Sequence, residues 1–471
     1  VITLKLALRT LLASTLALLA VGAPARAAST QLVFFEAPRD LTAATATDAT
    51  RTAAFNDFTA LGVNALRLNL RWSDVALSPD LATKPNADMS DPANYYWGQY
   101  AKVIDTAKER GMTVLISLAG PVPKWATAAK ADNLTRPSAQ EFRFFAAAAA
   151  KRFGSGSVLW SIWNEPNLKD FLLPQLSGGK AVSPLIYREL YLAAYAGIKT
   201  DAKLSGAKVL FGETAPVGGA RDGRIYPLVF LRQALCLTAK LKLNKACGSK
   251  LPIDGIAHHP YQFTPGKVNK SDVTYQVFDR LVTFIDKAAK GGAVPSRVPL
   301  YYTEFGIQSV PDKTFGVTAQ AQLEIRARAE RAAYYNKRVR GFSQYLLTDD
   351  SALGGFQTGL RDASGKAKLS YNGFRLVLDA KPVGKGKRPK VSLWGLARTA
   401  QATPVTLEVS TGGAFKPLKA VVTNSLGAFT FTDKYRKGAK YRYTLLTPDG
   451  TQTSPAVRPF AGWMPADAKK F

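Results

Sequence analysis

Short apolar runs alternate along the chain with longer stretches whose apolar positions recur at helical spacing. The short runs are Leu32–Glu36, Ala65–Leu70, Thr113–Leu118, Val158–Trp163, Lys208–Gly212, Asp254–His259, Pro299–Thr303 and Gly341–Leu347. Helical patterns lie between them over Asp48–Leu61, Tyr100–Arg110, Gln140–Phe153, Ile186–Leu204, Tyr275–Ala289 and Thr318–Val339. A glycine stands at or soon after the end of each, which is a natural helix stop. Strand-then-helix alternation predicts a parallel α/β fold. Eight strands suit a closed (β/α)8 TIM barrel. A doubly wound open sheet would alternate in the same way, so the choice rests on the chemistry below.

The pattern changes near Ala380. Lys381–Lys390 is rich in Pro, Gly and Lys and reads as a linker. Beyond it come short β-like runs at Val391–Ala397, Val405–Val409, Ala420–Val422, Ala428–Phe431 and Tyr441–Leu446, separated by turn formers. The expectation is a catalytic barrel over residues 28–380, a linker over 381–390, a small Ig-like β-sandwich over 391–460 and a tail over 461–471. The first 27 residues differ again. Lys5 and Arg9 precede an apolar run, Leu11–Val21, and then Ala25-Arg26-Ala27. This is the layout of a secretory signal peptide with a small-x-small cleavage site, so a secreted protein is expected. No later apolar stretch is long enough to span a bilayer.

Composition changes the picture in two places. The formal net charge of +29 points to polyanionic partners. For an exported protein these would be anionic cell-wall polymers or acidic polysaccharides. Nucleic acid is not expected, because no binding motif accompanies the charge. The two cysteines, Cys236 and Cys247, suggest one disulfide closing a short loop, with two buried thiols as the other reading. Neither has the neighbours of a zinc site, and neither a metal nor a cofactor is expected.

Two strand ends carry the chemistry. Trp160-Ser161-Ile162-Trp163-Asn164-Glu165-Pro166-Asn167 is an apolar strand ended by a proline. It leaves Asn164 and Glu165 at the rim where barrel enzymes build their sites. A carboxyl group among tryptophans has its charged form disfavoured, which suits a general acid. Pro299-Leu300-Tyr301-Tyr302-Thr303-Glu304-Phe305-Gly306 ends a second strand in Glu304. The two glutamates follow the fourth and seventh strands, which face each other across a barrel mouth. Paired carboxylates across a cleft are what glycoside hydrolysis needs. Either glutamate alone would read equally well as a helix-cap partner or a surface charge.

Asn164-Glu165-Pro166 and Thr303-Glu304-Phe305-Gly306 together resemble the signature of the glycoside hydrolase clan A superfamily, most closely its family 5 and family 39 branches. The resemblance covers roughly residues 31 to 380. It implies Glu165 as acid/base, Glu304 as nucleophile and Asn164 on the sugar 2-hydroxyl. It also implies that Arg67 on the second strand holds the nucleophile, and that Tyr261 bonds Glu304. His259 would then touch the sugar or the acid/base. His258 and His259 are adjacent, so only one is expected to face the site. As metal ligands they would lack an evident third partner.

Trp125, Trp72, Tyr95, Tyr96 and Trp97 are candidates for sugar platforms, Trp125 foremost, although each taken alone reads more readily as core packing. Glu36 and Glu213, at other strand ends, would bind sugar hydroxyls or join structural ion pairs. The eighth strand lacks the tryptophan that many clan members carry there. The function expected is a secreted retaining glycosidase acting on a polysaccharide or wall glycan. The alternatives are a non-catalytic glycan-binding protein on the same scaffold and a transglycosylase.

Overall fold

In a computed structural model of the chain, the described residues are 31–219, 223–247, 250–262, 268–384, 389–399 and 401–469. The expected signal peptide, residues 1–27, lies outside them. Eight parallel strands close a barrel: β1 (Leu32–Glu36), β2 (Ala65–Arg71), β3 (Thr113–Ala119), β4 (Val158–Ile162), β5 (Lys208–Thr214), β6 (Gly255–His258), β7 (Leu300–Tyr302) and β8 (Val339–Tyr345). A helix follows each: α1 (Asp48–Ala60), α2 (Gly98–Glu109), α3 (Ala139–Phe153), α4 (Ser183–Ile198), α5 (Pro227–Ala234), α6 (Asp279–Lys290), α7 (Ala319–Tyr335) and α8 (Leu369–Arg375). Two of them, α5 and α8, are too short to show a helical period in the sequence. Cys236 and Cys247 are bonded, closing the loop after α5. No described helix is long and apolar enough to cross a membrane.

The barrel interior is stacked in layers. Phe34, Ala65, Leu115, Leu210 and Ala257 form a small apolar cluster near its floor, with Leu32, Leu159 and Tyr301 against it. Side chains two residues further along the same strands point the same way. On β1 to β4 that step leads from Phe34 to Glu36, from Ala65 to Arg67, from Leu115 to Ser117 and from Leu159 to Ser161. A dry floor therefore carries a polar layer, as the barrel's alternate-strand packing dictates.

The C-terminal module is a sandwich of two antiparallel sheets. One has the order β9 (Leu376–Val383), β10 (Lys390–Ala397), β13 (Ala428–Lys434). The other has the order β12 (Lys416–Val422), β11 (Pro404–Ser410), β14 (Lys440–Thr447), β15 (Gly450–Thr453). Leu378, Leu393, Leu407 and Tyr443 pack in the core between them. The boundary expected at Ala380 falls inside β9, which pairs with β10 from Leu376–Ala397 to Val383–Lys390. Both ends of the expected linker are thus strand. Pro382 is tolerated there because β9 is an edge strand with no second neighbour needing its N–H.

Helix α7 joins the two units. Its sequence is highly charged, yet Glu324, Arg326, Arg328 and Glu330 are all buried. Arg328 Nε donates to Asp379 Oδ1 at 2.7 Å, and Arg331 Nη1 to Asp379 Oδ2 at 2.9 Å. Glu330 accepts from Arg326 at 2.5 Å and is also paired with Arg398. Leu323 and Ala327 enter clusters made mostly of sandwich residues. The tail then returns to the barrel: the Thr318 N–H donates to the Ala468 carbonyl at 2.7 Å, and Ala468 enters the main core.

Asp379 is fully buried between two arginines. Its replacement leaves both cations without a counter-charge in a dry seam. Asp379→Ala should cost about 3–5 kcal/mol, read as a lower urea midpoint for one joint transition of barrel and sandwich. A sandwich that melts alone, with the barrel transition unmoved, would refute the shared seam.

Candidate active site

The loop after β4 is held from several sides. Asn167, fully buried, accepts from the Ala215 N–H at 2.9 Å and donates to the Ile225 carbonyl at 3.0 Å. Gln175 donates to the Pro166 carbonyl at 2.9 Å. The Glu165 N–H donates to the Glu213 carbonyl at 2.8 Å. These contacts fix Glu165 at φ +41°, a left-handed backbone that a non-glycine residue adopts only under constraint. Glu165 thereby leaves the strand line and faces into the mouth. Glu304, reached two residues beyond β7, faces it from the opposite side.

Arg67 binds this arrangement together. Its Nη1 donates to Glu304 Oε1 at 2.5 Å and also to Glu36. Its Nη2 donates to Asn164 Oδ1 at 2.8 Å and to Glu213 Oε2 at 3.2 Å. Tyr261 donates to the other Glu304 oxygen at 3.0 Å. Thus both Glu304 oxygens accept hydrogen bonds. With Asn164 Oδ1 taken by Arg67, its Nδ2 has no protein partner among the described residues.

His259 bridges the carboxylates. Its Nε2 lies 2.6 Å from Glu213 Oε2, and its Nδ1 2.9 Å from Glu165 Oε1 and 3.6 Å from Glu304 Oε1. Burial opposes a charged imidazole, but Glu304, Glu165 and Glu213 outweigh it and push its pKa up to about 10. It is an imidazolium at neutral pH, donating from both nitrogens. His258 points the other way. Its ring lies between Thr214 Oγ1 at 2.8 Å and the Val273 carbonyl at 2.7 Å, and burial lowers its pKa to about 3.

The four carboxyl groups are not alike. Burial resists the charge of Glu213, yet Arg67, His259 and Ser161 together carry its pKa down to about 2. Thr303 adds a hydrogen bond to Glu213 at 2.7 Å. Burial dominates at Glu36 and lifts it to about 8 against the pull of Arg67. Burial also raises Glu165, with Glu304 adding to the rise and His259 opposing it.

Glu165, His259 and Glu304 offer three metal-ligand atoms within 4.8 Å of one another. A metal there would have to displace the His259 proton that Glu165, Glu213 and Glu304 hold in place. The same three groups are also placed for proton transfer and nucleophilic attack.

Glu165, Glu304, Asn164, Arg67, His259 and Tyr261 are therefore brought together. Trp72 and Trp125 are not: both are core residues, 0% and 3% exposed. Trp72 stacks on Phe145 at 5.2 Å, and Trp125 meets Trp72 edge-on at 5.6 Å. A tryptophan just past a strand can tuck under the following helix as readily as face the mouth. Tyr95 and Trp97 stack on each other in the same core, while Tyr96 is exposed.

Ser161 and Thr303 had no assigned role in the sequence reading, although both sat in the quoted motifs. Their signal is the two-residue step from apolar floor to polar layer. At the end of β8 stands Tyr345. Its ring packs edge-on against Tyr261 at 6.3 Å and Phe356 at 5.1 Å. With Glu36, Asn69 and Arg71 it lines a cleft of about 610 Å³ at the mouth.

Residues 26–172 match the family model described as cellulase (glycosyl hydrolase family 5). That span runs through β4 and contains Glu36, Arg67, Asn164 and Glu165, but not Glu304. No curated protein matches the chain in sequence. Among solved structures, a glucosidase from Croceicoccus marinus aligns over 92% of this chain and 98% of its own, at 13% identity and a TM-score of 0.51. A β-glucuronidase of Bacteroides uniformis aligns over 92% of this chain and 46% of its own, at 12% identity and a TM-score of 0.46. A structure titled β-glucosidase 1317 aligns over 69% of this chain and 86% of its own, at 17% identity and a TM-score of 0.43. The family 5 match thus covers the first four strands of a closed eight-stranded barrel, and over that span the chain is similar to O-glycosyl hydrolases.

Proposed function

We propose that the protein cleaves β-type glycosidic bonds of a polysaccharide or wall glycan with retention of configuration. Glu165 is the acid/base and Glu304 the nucleophile. The observation that carries this reading is the approach of their carboxylate oxygens to within 4.8 Å. Retaining pairs stand about 5–5.5 Å apart, whereas inverting pairs need about 6.5–9.5 Å to admit a water. Glu165 protonates the leaving sugar oxygen as Glu304 attacks the anomeric carbon, giving a glycosyl-enzyme. Water, deprotonated by Glu165, then displaces Glu304. Esterified Glu304 no longer carries the charge that helps raise Glu165, so Glu165 becomes the stronger acid and its conjugate base persists for the second step. Asn164 Nδ2 is free to bond the sugar 2-hydroxyl, a contact that strengthens in the transition state.

The setting belongs to the same reading. The signal-like leader supports export, and the charge of +29 supports association with anionic wall polymers. A recess of about 970 Å³ near the N-terminal ends of β7 and β8 supports the second point. It gathers Lys290, Arg297, Lys337 and Arg340, for which no ion pair occurs among the described residues.

Glu165→Gln should lose about 10²–10⁴-fold in kcat on a natural glycan, and Glu304→Gln at least as much. An activated 2-deoxy-2-fluoroglycoside should label Glu304, as peptide mass spectrometry would locate. Wild-type turnover in both variants sinks the assignment, and an inverted anomer by proton NMR sinks retention. Tight binding with no product from any glycan would favour the non-catalytic alternative. Longer products at high acceptor concentration would favour the transglycosylase.

A second test uses pH. Glu165 must hold its proton in the first step, so activity falls as pH rises through its raised pKa. The His259 cation holds that pKa below what burial and Glu304 alone would set. His259→Gln removes the cation and should move the alkaline limb of kcat/KM to higher pH. A limb that stays put, or moves down, contradicts the arrangement.

A further inference from the structure

The aromatic side chains of the sandwich are few and scattered along the sequence, yet folding gathers some of them at its seam with the barrel. Tyr334 and Tyr335 end α7, while Trp394 lies on β10. Together with Val422 and Asn424 they line a cleft of about 410 Å³. The Tyr334 ring lies 5.3 Å from Trp394 and 5.4 Å, edge-on, from Tyr335. Asn424 Nδ2 donates to Tyr334 Oη at 3.0 Å, so an amide and a phenol sit side by side. Tyr335 is 54% exposed and Val422 65%. Trp394 is fully buried, and its indole N–H meets no acceptor among the described residues.

These features share one chemistry. An exposed aromatic face accepts the C–H face of a sugar ring, and neighbouring amide and hydroxyl groups fix the ring's hydroxyls. The position also matters. Helix α7 ends where the chain enters β8, so the cleft lies toward the N-terminal ends of the strands. Glu165 and Glu304 stand at the opposite end.

We propose that this seam is a second, non-catalytic saccharide-binding site, with Tyr335 as its platform and Asn424 and Tyr334 as its polar contacts. The proposal rests on the reading of the protein as a glycan-active enzyme. The seam holds a polysaccharide chain away from the mouth, which raises the local concentration of cleavable bonds.

The test is affinity electrophoresis of the full chain at acidic pH in gels containing laminarin, arabinoxylan or galactomannan. Tyr335→Ala should weaken retardation by about tenfold on the polysaccharide that binds best, while Tyr335→Phe keeps it. Hydrolysis of a small aryl glycoside should be unchanged in both. Equal retardation of wild type and Tyr335→Ala overturns the proposal, as does no retardation of wild type in any gel. A parallel loss of aryl-glycoside activity in Tyr335→Ala overturns it too, because the residue would then act through the fold. Retardation lost in Tyr335→Ala from a wild type that hydrolyses nothing would leave this site standing and remove the catalytic reading instead.

Discussion

One buried guanidinium holds the mouth of this barrel together. Arg67 has no exposure to solvent and reaches Glu36, Glu213, Glu304 and Asn164 at once. A lone arginine in a barrel interior would be prohibitive. Here the imidazolium of His259 supplies a second positive charge. Glu213, held at about 2, supplies a permanent negative one, while Glu36, lifted to about 8, stays neutral near pH 7. The cluster thus limits its net charge by letting burial raise Glu36 even against its pairing with Arg67. That division, with burial also raising Glu165, makes the carboxyl groups of the mouth chemically unequal.

Much of this was legible in the chain. The eight strands appear as apolar runs, and the two glutamates stand at the ends of the fourth and seventh. Arg67 announces itself as a charge inside an apolar strand. The role of Glu213 was harder to read. Strict alternation from Leu210 would turn Gly212 inward and Glu213 outward. A register shift between Gly212 and Thr214 reverses this. Gly212 sits at φ +119°, and a Cβ there would lie 2.5 Å from the Ala257 carbonyl oxygen. A bulge is a tertiary event with no period of its own, so the sequence offered Glu213 only as an undecided acid. Trp72 and Trp125 fail for a related reason: an aromatic residue past a strand end has two apolar destinations, and only packing decides between them.

The seam between barrel and sandwich was equally hidden. The charges of α7 look like a solvated face in sequence, but the sandwich covers them. Asp379 and Arg398, which complete the ion pairs, lie 48 to 68 residues beyond their α7 partners in sequence. The sandwich is therefore less a tethered appendage than an outer wall of the barrel at this helix.

The tail gives that wall a further reach. Ala468 is tied to Thr318, and the segment from Phe305 to Thr318 is the connection that leaves Glu304. Lys469 also reaches the Thr314 carbonyl at 3.0 Å. The segment around Ala468 and Lys469 thus acts as a splint on the loop that follows Glu304. Cleavage of the chain just ahead of this segment would act on the mouth from outside, by loosening the strap rather than by touching Glu165 or Glu304.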